Sequence, residues 1–477
     1  MSTAVVVGSG PNGLAAAVHL ARHGVEVQVL EAADTIGGGT RSSELTLPGL
    51  LHDECSAFHP MGAGSPYLQT LDLERYGLSW RWADVDCAHP LDSGEAGLLH
   101  RSVDETAAGL GADGPRWQRM FGNLADGFDD LAADLMRPIV NIPRHPLKLA
   151  SFGPRALLPA GITARWWRTE KGRALFGGVA AHAYYRLDRP ATSAVGLMII
   201  AAGHRYGWPV AEGGSQSITS ALAAVLTDWG GKIATGVRVD SIADIPPADV
   251  VLLDLSPSAA LSIFGEQIPQ RVARAYRRFR HGPAAFKVDY AVEGGVPWRD
   301  PDCGRAGTVH LGGTFAEIAA AEKDVSSGRM PQRPFVLVGQ QYLADAGRSK
   351  GNLHPLYAYA HVPHGYTGDA TSAITAQIER FAPGFRDRVV ATVSSGPAQL
   401  AQSNANYVGG DIIGGANTET QVVLRPRIAL DPYSTGVAGT YLCSASTPPG
   451  AGAHGMSGYN AAQSALRYLR RHGDDVL

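Results

Sequence analysis

Three closely spaced glycines at the end of the first apolar segment constrain the fold of this chain more than any other feature. Residues 4–7 predict a buried strand, and the glycines that follow it at the spacing G-x-G-x-x-G are Gly8, Gly10 and Gly13. Pro11 suits the first turn of a helix, where its missing N–H costs little. Residues 25–30 then alternate as a second strand, which ends at Glu31. The segment therefore predicts a β-α-β unit.

Each glycine of this unit has a separate physical task. Gly8 allows the tight turn, Gly10 lets a pyrophosphate approach the backbone, and Gly13 lets the helix pack closely on the strand. The start of the helix offers free N–H groups and a positive dipole end to phosphates. Glu31 lies 18 residues beyond Gly13, where an acid accepts hydrogen bonds from a ribose hydroxyl and repels a 2′-phosphate. The pattern predicts a dinucleotide site that disfavours NADP.

The residues after Glu31 favour FAD over NAD. A second glycine cluster, residues 37–39, follows within a few positions. Bare backbone there can pass close to a ribityl chain, and Arg41 can meet the pyrophosphate, whereas an NAD site does not need such a cluster. The alternative is a glycine-rich loop without a ligand. The further cofactor contacts predicted in this region are Pro11, Asn12, Ala32, Gly38, Gly39, Thr40 and Arg41.

A second strand, loop and helix stand near the other end of the sequence. Residues 440–444 predict a strand, the spacing G-x-G-x-x-G recurs at residues 450–455, and a helix is predicted over 457–471. We expect no second dinucleotide site, because no further strand with a ribose acid follows. The helix N-terminus is instead predicted to face the N1–C2=O edge of a flavin and to favour its reduced anion. The alternative is a plain capping helix. The predicted contacts are Ser444, Gly455, Met456 and Ser457.

Both terminal regions carry a family likeness. The sequences VVVGSGPNGLAAAVHLARHGVEVQVLEAADTIGGGTR and YLCSASTPPGAGAHGMSGYNAAQSAL resemble those of phytoene-dehydrogenase-like FAD-dependent oxidoreductases. They are most similar to the branch typified by pyridine nucleotide-disulphide oxidoreductase domain-containing protein 2. Residues 208–222 resemble the P-x-G-G helix start of the same family. Ala453 and His454 stand where carotenoid desaturases usually have small apolar residues, which weakens the case for a carotenoid substrate.

The resemblance implies an α/β fold with non-covalent FAD. It implies a discontinuous Rossmann-like FAD-binding domain of the glutathione-reductase and amine-oxidase type, and an α+β substrate domain with an antiparallel sheet and a helical cap. In this family a valine meets adenine through its backbone, which implies that role for Val237, in a strand pair predicted over residues 232–242. The predicted divisions are 1–95, 205–260 and 425–477 for FAD binding, 96–204 for the cap and 261–424 for the substrate domain.

The candidate catalytic residues rest on weaker signals. Residues 284–291 alternate as a strand that places Lys287 and Asp289 on one face. In distant amine oxidases a lysine on a comparable strand reaches flavin N5 through water, so the resemblance makes Lys287 a candidate. The alternative is a surface lysine that forms salt bridges with its neighbours. His59 and His454 are further candidates, because they fall near segments expected to border the flavin and a histidine titrates near neutrality. Either could equally be structural.

Composition and segment properties limit the partners. A net charge of −3 argues against the basic surface that nucleic-acid binding needs. The four cysteines form no close pair and no metal-ligand pattern is present, which fits a reducing cytoplasm. No signal peptide is expected, and the longest apolar run, residues 194–203, is shorter than the roughly 20 residues that span a bilayer. Residues 137–168 hold basic and aromatic residues without an acid. They predict contact with an anionic membrane surface, a solvated face, or a homo-oligomer contact.

These features lead to one principal function and two alternatives. The principal prediction is an FAD-dependent oxidoreductase, of dehydrogenase, desaturase or oxidase type, that transfers hydride between flavin N5 and an apolar small molecule. Because no separate NAD domain is visible, the expected electron acceptor is oxygen, a quinone or another protein. The alternatives are a redox-neutral C=C isomerase that uses reduced flavin and a flavin-carrying, membrane-associated interaction protein with little turnover.

Overall fold

The computed structural model describes residues 2–138 and 142–472. The strands are β1 (Thr3–Val7), β2 (Glu26–Leu30), β3 (Ser42–Ser43), β4 (His52–Asp53), β5 (Trp80–Arg81), β6 (Val85–Pro90), β7 (Ala96–Leu99), β8 (Val210–Ala211), β9 (Lys232–Ala234), β10 (Val250–Leu253), β11 (Ala284–Glu293), β12 (Ala306–Leu311), β13 (Val336–Gly339), β14 (Leu353–Val362), β15 (Val389–Ser395) and β16 (Thr440–Leu442).

The helices are α1 (Pro11–Ala21), α2 (Pro60–Ala63), α3 (Val103–Gly109), α4 (Gly114–Asp126), α5 (Phe128–Leu135), α6 (Pro146–Ala156), α7 (Ala160–Ala164), α8 (Glu170–Ala180), α9 (Thr192–Tyr206), α10 (Gln216–Asp228), α11 (Pro257–Phe264), α12 (Gln270–Arg278), α13 (Phe315–Ser326), α14 (Thr371–Phe381), α15 (Phe385–Arg388), α16 (Pro397–Ser403) and α17 (Met456–His472).

A five-stranded parallel sheet joins distant parts of the sequence. Its order is β16-β10-β1-β2-β9, so β1 lies in the middle and its neighbours are reached by crossovers in opposite directions. The strand–helix–strand unit predicted from the glycine pattern is present as β1, α1 and β2. The apolar strand residues are buried on both faces, as parallel sheets require. The predicted Rossmann-like α/β fold is confirmed.

The strand pair predicted over residues 232–242 is only half correct. β9 pairs with β2 in parallel, but residues 237–242 form no second strand. The N–H of Gly236 donates to the carbonyl of Ala33 at 2.9 Å, and that of Val237 donates to the carbonyl of Glu31 at 2.8 Å. These bonds draw the chain around the end of β2, so it leaves the sheet instead of continuing along it.

A seven-stranded sheet forms the second layer, in the order β15-β11-β14-β13-β12-β6-β7. The predicted strand at residues 284–291 is present within β11, which pairs antiparallel with β14 and β15. β6 and β12 run parallel, so the sheet is mixed and not purely antiparallel as predicted. β6 and β7 of this sheet come from residues that the predicted domain divisions assigned to the first FAD-binding segment and to the cap.

Helices α3 to α9 pack around an aromatic cluster that is continuous with the core beneath the parallel sheet. Trp117, Phe121 and Trp167 are each completely buried there, and the Trp117 ring lies 4.5 Å from that of Phe121 and 5.1 Å from that of Trp167. α17 packs against α1 and donates a hydrogen bond from Asn460 to the carbonyl of Met136, directly after α5. A Cβ on Gly458 would lie only 1.8 Å from the carbonyl oxygen of Asn12, so the last helix touches the start of the first.

Candidate cofactor and active site

A cavity of about 800 Å³ follows the carboxyl ends of the parallel strands and extends to the second sheet. Ligands of open α/β sheets bind at such a position, where the strand order reverses. The predicted cofactor residues that line it are Gly8, Gly10, Pro11, Asn12, Glu31, Ala32, Gly38, Gly39, Thr40, Arg41, Val237 and Ser444. The predicted residues outside its lining are Gly13, Gly455, Met456 and Ser457.

The glycine loop leaves room along the cavity floor. Gly8 has φ +101°, which favours glycine. A Cβ on Gly10 would lie 2.8 Å from Oδ2 of Asp254, and one on Gly38 would lie 3.1 Å from Cα of Gly10. Gly13 lies beneath the loop, where a Cβ would come within 2.1 Å of the Gly8 carbonyl oxygen. The two glycine clusters therefore meet, and bare backbone forms this part of the wall.

Glu31 is held by the loop that it faces. Its Oε2 accepts hydrogen bonds from the N–H and hydroxyl of Ser9, at 2.9 and 2.5 Å. Its Oε1 accepts from the N–H of Ala33 at 2.9 Å and from Arg41 at 3.3 Å. A ribose hydroxyl would replace one of these donors. Arg41 also donates to the carbonyl of Thr35, so its guanidinium is anchored beside Glu31.

Val237 offers less to a ligand than predicted. Its N–H already donates to the carbonyl of Glu31, which leaves its carbonyl as the backbone group for an adenine. Asn12 offers more, because its buried side-chain Oδ1 faces no hydrogen-bond partner among the described residues. A buried polar atom of this kind in a cavity wall suits a ligand hydroxyl.

Asp254 was missed by the sequence analysis. It follows β10, lines the cavity, and accepts a hydrogen bond from the N–H of Gly13 at 2.9 Å. Burial raises the pKa of this carboxyl to about 7, the Gly13 bond lowers it, and the charge of Glu31 raises it. An acid below a glycine loop carries no local motif, and its contact with Gly13 spans 241 positions of sequence.

Asp254→Asn should change the pH dependence of stability. The folded protein holds the Asp254 proton more tightly than an unfolded chain, whose aspartates have a pKa of about 3.9. The wild-type free energy of unfolding therefore falls as pH rises from about 4 to about 7. The asparagine oxygen still accepts from Gly13 but cannot ionise. We expect the free energy of unfolding of the variant to exceed that of wild type by up to about 4 kcal/mol at alkaline pH and by little in mild acid.

Denaturant unfolding at both pH values measures this difference, and Asp84→Asn, at an exposed position, serves as the control. Identical pH profiles for wild type and Asp254→Asn would contradict the raised pKa.

The loop before α17 forms the opposite wall of the cavity. Ser444 and residues 449–453 line it. Gly455 instead packs on α1, where a Cβ would lie 2.7 Å from that of Ala15, and the Ser457 hydroxyl donates to the carbonyl of Thr447 at 3.3 Å. Residues 450–453 thus line the cavity, whereas the predicted contacts at residues 455–457 lie outside its lining.

The two candidate histidines occupy different positions. His59 lines the cavity, and its Nε2 contacts the Ser215 hydroxyl at 2.8 Å. Nδ1 of His454 accepts from the N–H of Met456 at 3.1 Å, while Nε2 lies 3.2 Å from the carbonyl of Ala451. Both bonds of His454 shape its own loop. Burial lowers the pKa of each histidine to about 4, so both are neutral at pH 7.

A buried ionic network supports the wall behind His59. Ser215 donates its N–H to Oδ1 of Asp53 at 2.7 Å, and Arg348 donates to Oδ2 at 2.6 Å. Arg348 also donates to Asp345 at 3.1 Å and to the carbonyl of Ala211 at 2.8 Å. Arg348 and Asp53 are both 0% exposed. The network joins the segment around β4 to the loop before β14.

Lys287 lies behind the cavity wall and is not among its lining residues. It is buried, its Nζ pairs with Asp289, and the ammonium stands 4.7 Å from the ring centre of Tyr357. The other oxygen of Asp289 lies 3.2 Å from Nδ1 of His52. The salt bridge of the alternative is present, but its surface position is wrong, because Lys287 is buried. A water-mediated contact of Lys287 with a flavin stays a prediction.

The far end of the cavity is aromatic and uncharged. Tyr184, Trp208, Tyr357 and Tyr359 line it together with aliphatic side chains. Burial raises the pKa of Tyr184 and Tyr357 well above their usual range, so the hydroxyls stay protonated. Tyrosines on β14 alternate with alanines, and this alternation is the signal that could have identified them. The described residues hold no group of three acids, histidines or cysteines placed to bind a metal ion.

Comparisons with known proteins agree with this architecture. A family model for NAD(P)-binding Rossmann-like domains matches residues 6–71. Rat pyridine nucleotide-disulfide oxidoreductase domain-containing protein 2 is 25% identical, over 98% of this chain and 94% of the relative. Hydroxyneurosporene desaturase from Cereibacter sphaeroides is 28% identical, over 73% of this chain and 72% of the enzyme. A putrescine oxidase variant has a TM-score of 0.62 and 18% identity, covering 98% of this chain and 99% of its own.

The relatives identify the chain as an oxidoreductase similar to desaturases, and the solved structures show that it shares the fold of amine oxidases. The predicted resemblance to phytoene-dehydrogenase-like oxidoreductases, including the domain-containing protein 2 branch, is confirmed at low sequence identity. Within the part of the chain that the structure describes, no helix combines the length and apolar character needed to cross a membrane.

Proposed function

We propose that this oxidoreductase binds FAD and uses it to remove hydride from an apolar small molecule. The observation that carries the proposal is the shape of one continuous cavity of about 800 Å³. One end has a glycine loop, a helix start and a ribose acid, and the other end is aromatic. The glycine loop would hold the pyrophosphate, Glu31 the adenosine ribose, and residues 450–453 the flavin edge. The bound flavin supplies two-electron chemistry at N5.

The protonation states at the aromatic end of the cavity support flavin chemistry over acid–base catalysis by side chains there. His59 and His182 have pKa values lowered to about 4 by burial, and the tyrosines beside them stay protonated. The aromatic end thus offers no group that titrates near neutrality. The protein would orient the substrate and exclude water, while the reacting hydride passes to the cofactor.

Glu31→Gln tests the cofactor assignment. A hydrogen bond to a charged acceptor contributes roughly 1.5–3 kcal/mol, so we expect the FAD dissociation constant to rise by about 10- to 100-fold. Titration of apoprotein with FAD, followed by flavin fluorescence, measures the change. Glu26→Gln is the matched control on the same strand, because Glu26 is exposed and pairs loosely with Lys232 at 3.6 Å. Equal affinities of both variants would remove the ribose role.

Anaerobic mixing separates oxidation from isomerisation. Oxidised enzyme that bleaches with an apolar donor and yields a product with one more double bond supports the dehydrogenase. Turnover that requires reduced flavin and yields an isomer of unchanged mass supports the isomerase. Protein that retains flavin but never bleaches with any donor in a broad panel supports the interaction protein.

We also propose that part of the segment 137–168 lies on an anionic membrane surface. Residues 139–141 fall outside the described structure. Ile142 and Leu147 are 86% and 85% exposed, and Arg144 and Arg155 have no ion-pair partner among the described residues. Lys148 pairs with Asp130, so the charge is partly compensated. Co-sedimentation with phosphatidylglycerol vesicles, but not phosphatidylcholine vesicles, is expected. Equal sedimentation with both would contradict an electrostatic contact. The predicted homo-oligomer stays a prediction.

A further inference from the structure

Arg425 places a buried positive charge in the wall of the cavity. It is 2% exposed and lines the cavity beside the loop before α17. Its Nε donates to the carbonyl of Gln421 at 3.2 Å, Nη1 to the carbonyl of Ala445 at 3.2 Å, and Nη2 to Oδ1 of Asn417. All three acceptors are neutral. Because a guanidinium has five N–H donors, one remains on each terminal nitrogen.

No acid among the described residues forms an ion pair with Arg425. The carboxylate that influences the pKa of Arg425 is that of Asp411, which has other hydrogen-bond partners. Asp411 accepts from the N–H groups of Gly282 and Ile413, each at 2.9 Å, and lies 3.2 Å from Nδ1 of His281. Burial lowers the Arg425 pKa to about 10, so the side chain is still charged at pH 7. Arginine is rarely buried without a paired anion.

The other charged residues of the cavity wall stand near its nucleotide end. They follow β2, β9 and β10, and they are Glu31, Arg41, Arg238, Asp240 and Asp254. On the side of the cavity that residues 412–422 and 445–453 form, the described lining has one charged side chain, that of Arg425. Its surroundings there are apolar or neutral, and include Ile412, Ile413 and Val422. An anion that enters the cavity from this side would meet Arg425 alone.

We propose that Arg425 binds a carboxylate of the substrate, so that the substrate class is an apolar molecule with one acidic end. The two free N–H groups of one guanidinium match the two oxygens of a carboxylate. A phosphate dianion would leave one charge without a partner. The aromatic and aliphatic end of the cavity would hold the rest of the molecule. This assignment rests on the proposed function only in treating the cavity as the substrate site.

Binding of decanoate and decanol to the flavin-loaded protein tests the assignment. Isothermal calorimetry measures affinity without turnover, and the flavin spectrum reports whether the ligand reaches the cofactor cavity. We expect wild type to bind decanoate about 10- to 100-fold more tightly than decanol, as one charged hydrogen-bonded pair permits. Arg425→Met should lose that preference, Arg425→Lys should keep part of it, and the exposed-site control Arg277→Met should match wild type.

The outcomes separate this assignment from the proposed function. Equal affinity of wild type for decanoate and decanol would overturn the role of Arg425, and this comparison needs no variant. Loss of FAD from Arg425→Met, with unfolding still cooperative, would assign the arginine to the cofactor and would also overturn it. Wild type that cannot bind FAD contradicts the proposed function, whereas decanoate binding that depends on Arg425 in such protein still supports the carboxylate site.

Discussion

Gly10→Val should yield a folded protein that no longer retains flavin. A Cβ at this position would lie 2.8 Å from Oδ2 of Asp254, so the branched side chain would force the glycine loop out of its place in the cavity wall. Each 1.4 kcal/mol of lost binding energy is tenfold in affinity, and steric exclusion of a pyrophosphate should cost at least about 100-fold. The visible flavin absorbance of the purified protein, compared with its protein absorbance, measures the loss.

Gly122→Val provides the control for introducing valine at a helical or loop glycine. Gly122 lies in α4 with open space around it, so its substitution should leave the flavin content unchanged. The unfolding transition of Gly10→Val must also be recorded, because crowding at Asp254 shifts the loop. A Gly10→Val protein that purifies with full flavin would contradict the assignment of this loop to the pyrophosphate.

Arg348→Met should cost about 3–5 kcal/mol of folding free energy, the usual effect of removing one partner of a buried ion pair. The substitution leaves Asp53 and Asp345 buried without their shared cation. Chemical denaturation measures the loss. The same change should loosen the wall at His59, because Ser215 joins His59 to Asp53.

A second substitution separates lost charge compensation from lost packing. Asp53→Asn removes the uncompensated charge while an oxygen remains to accept from Ser215 and Ser42. The double variant Asp53→Asn with Arg348→Met should therefore be more stable than Arg348→Met alone. If the double variant shows the sum of the two single losses, Asp53 and Arg348 do not stabilise the fold through each other.

The parts of the site that could be predicted are those whose residues lie close together in sequence. The glycine loop and Glu31 are separated by one helix and one strand, so spacing alone indicates their chemistry. Asp254 and Arg348 were missed because their partners are 241 and 295 positions away. The alternation around Lys287 correctly placed it on a face with Asp289, yet the Tyr357 ring that covers it comes from β14. Such partners follow from sheet pairing, which local patterns do not reveal.

The junction between the first and last helices has a consequence for how this protein is made. β16 pairs with β10, and α17 fills the space beside α1, with Gly458 against Asn12. While the chain is still attached to the ribosome, β1, α1 and β2 can form without residues 440–472. At that stage the cavity lacks the wall that the loop before α17 forms. We expect coloured protein only after α17 has been synthesised, because the loop before α17 supplies one wall of the cavity.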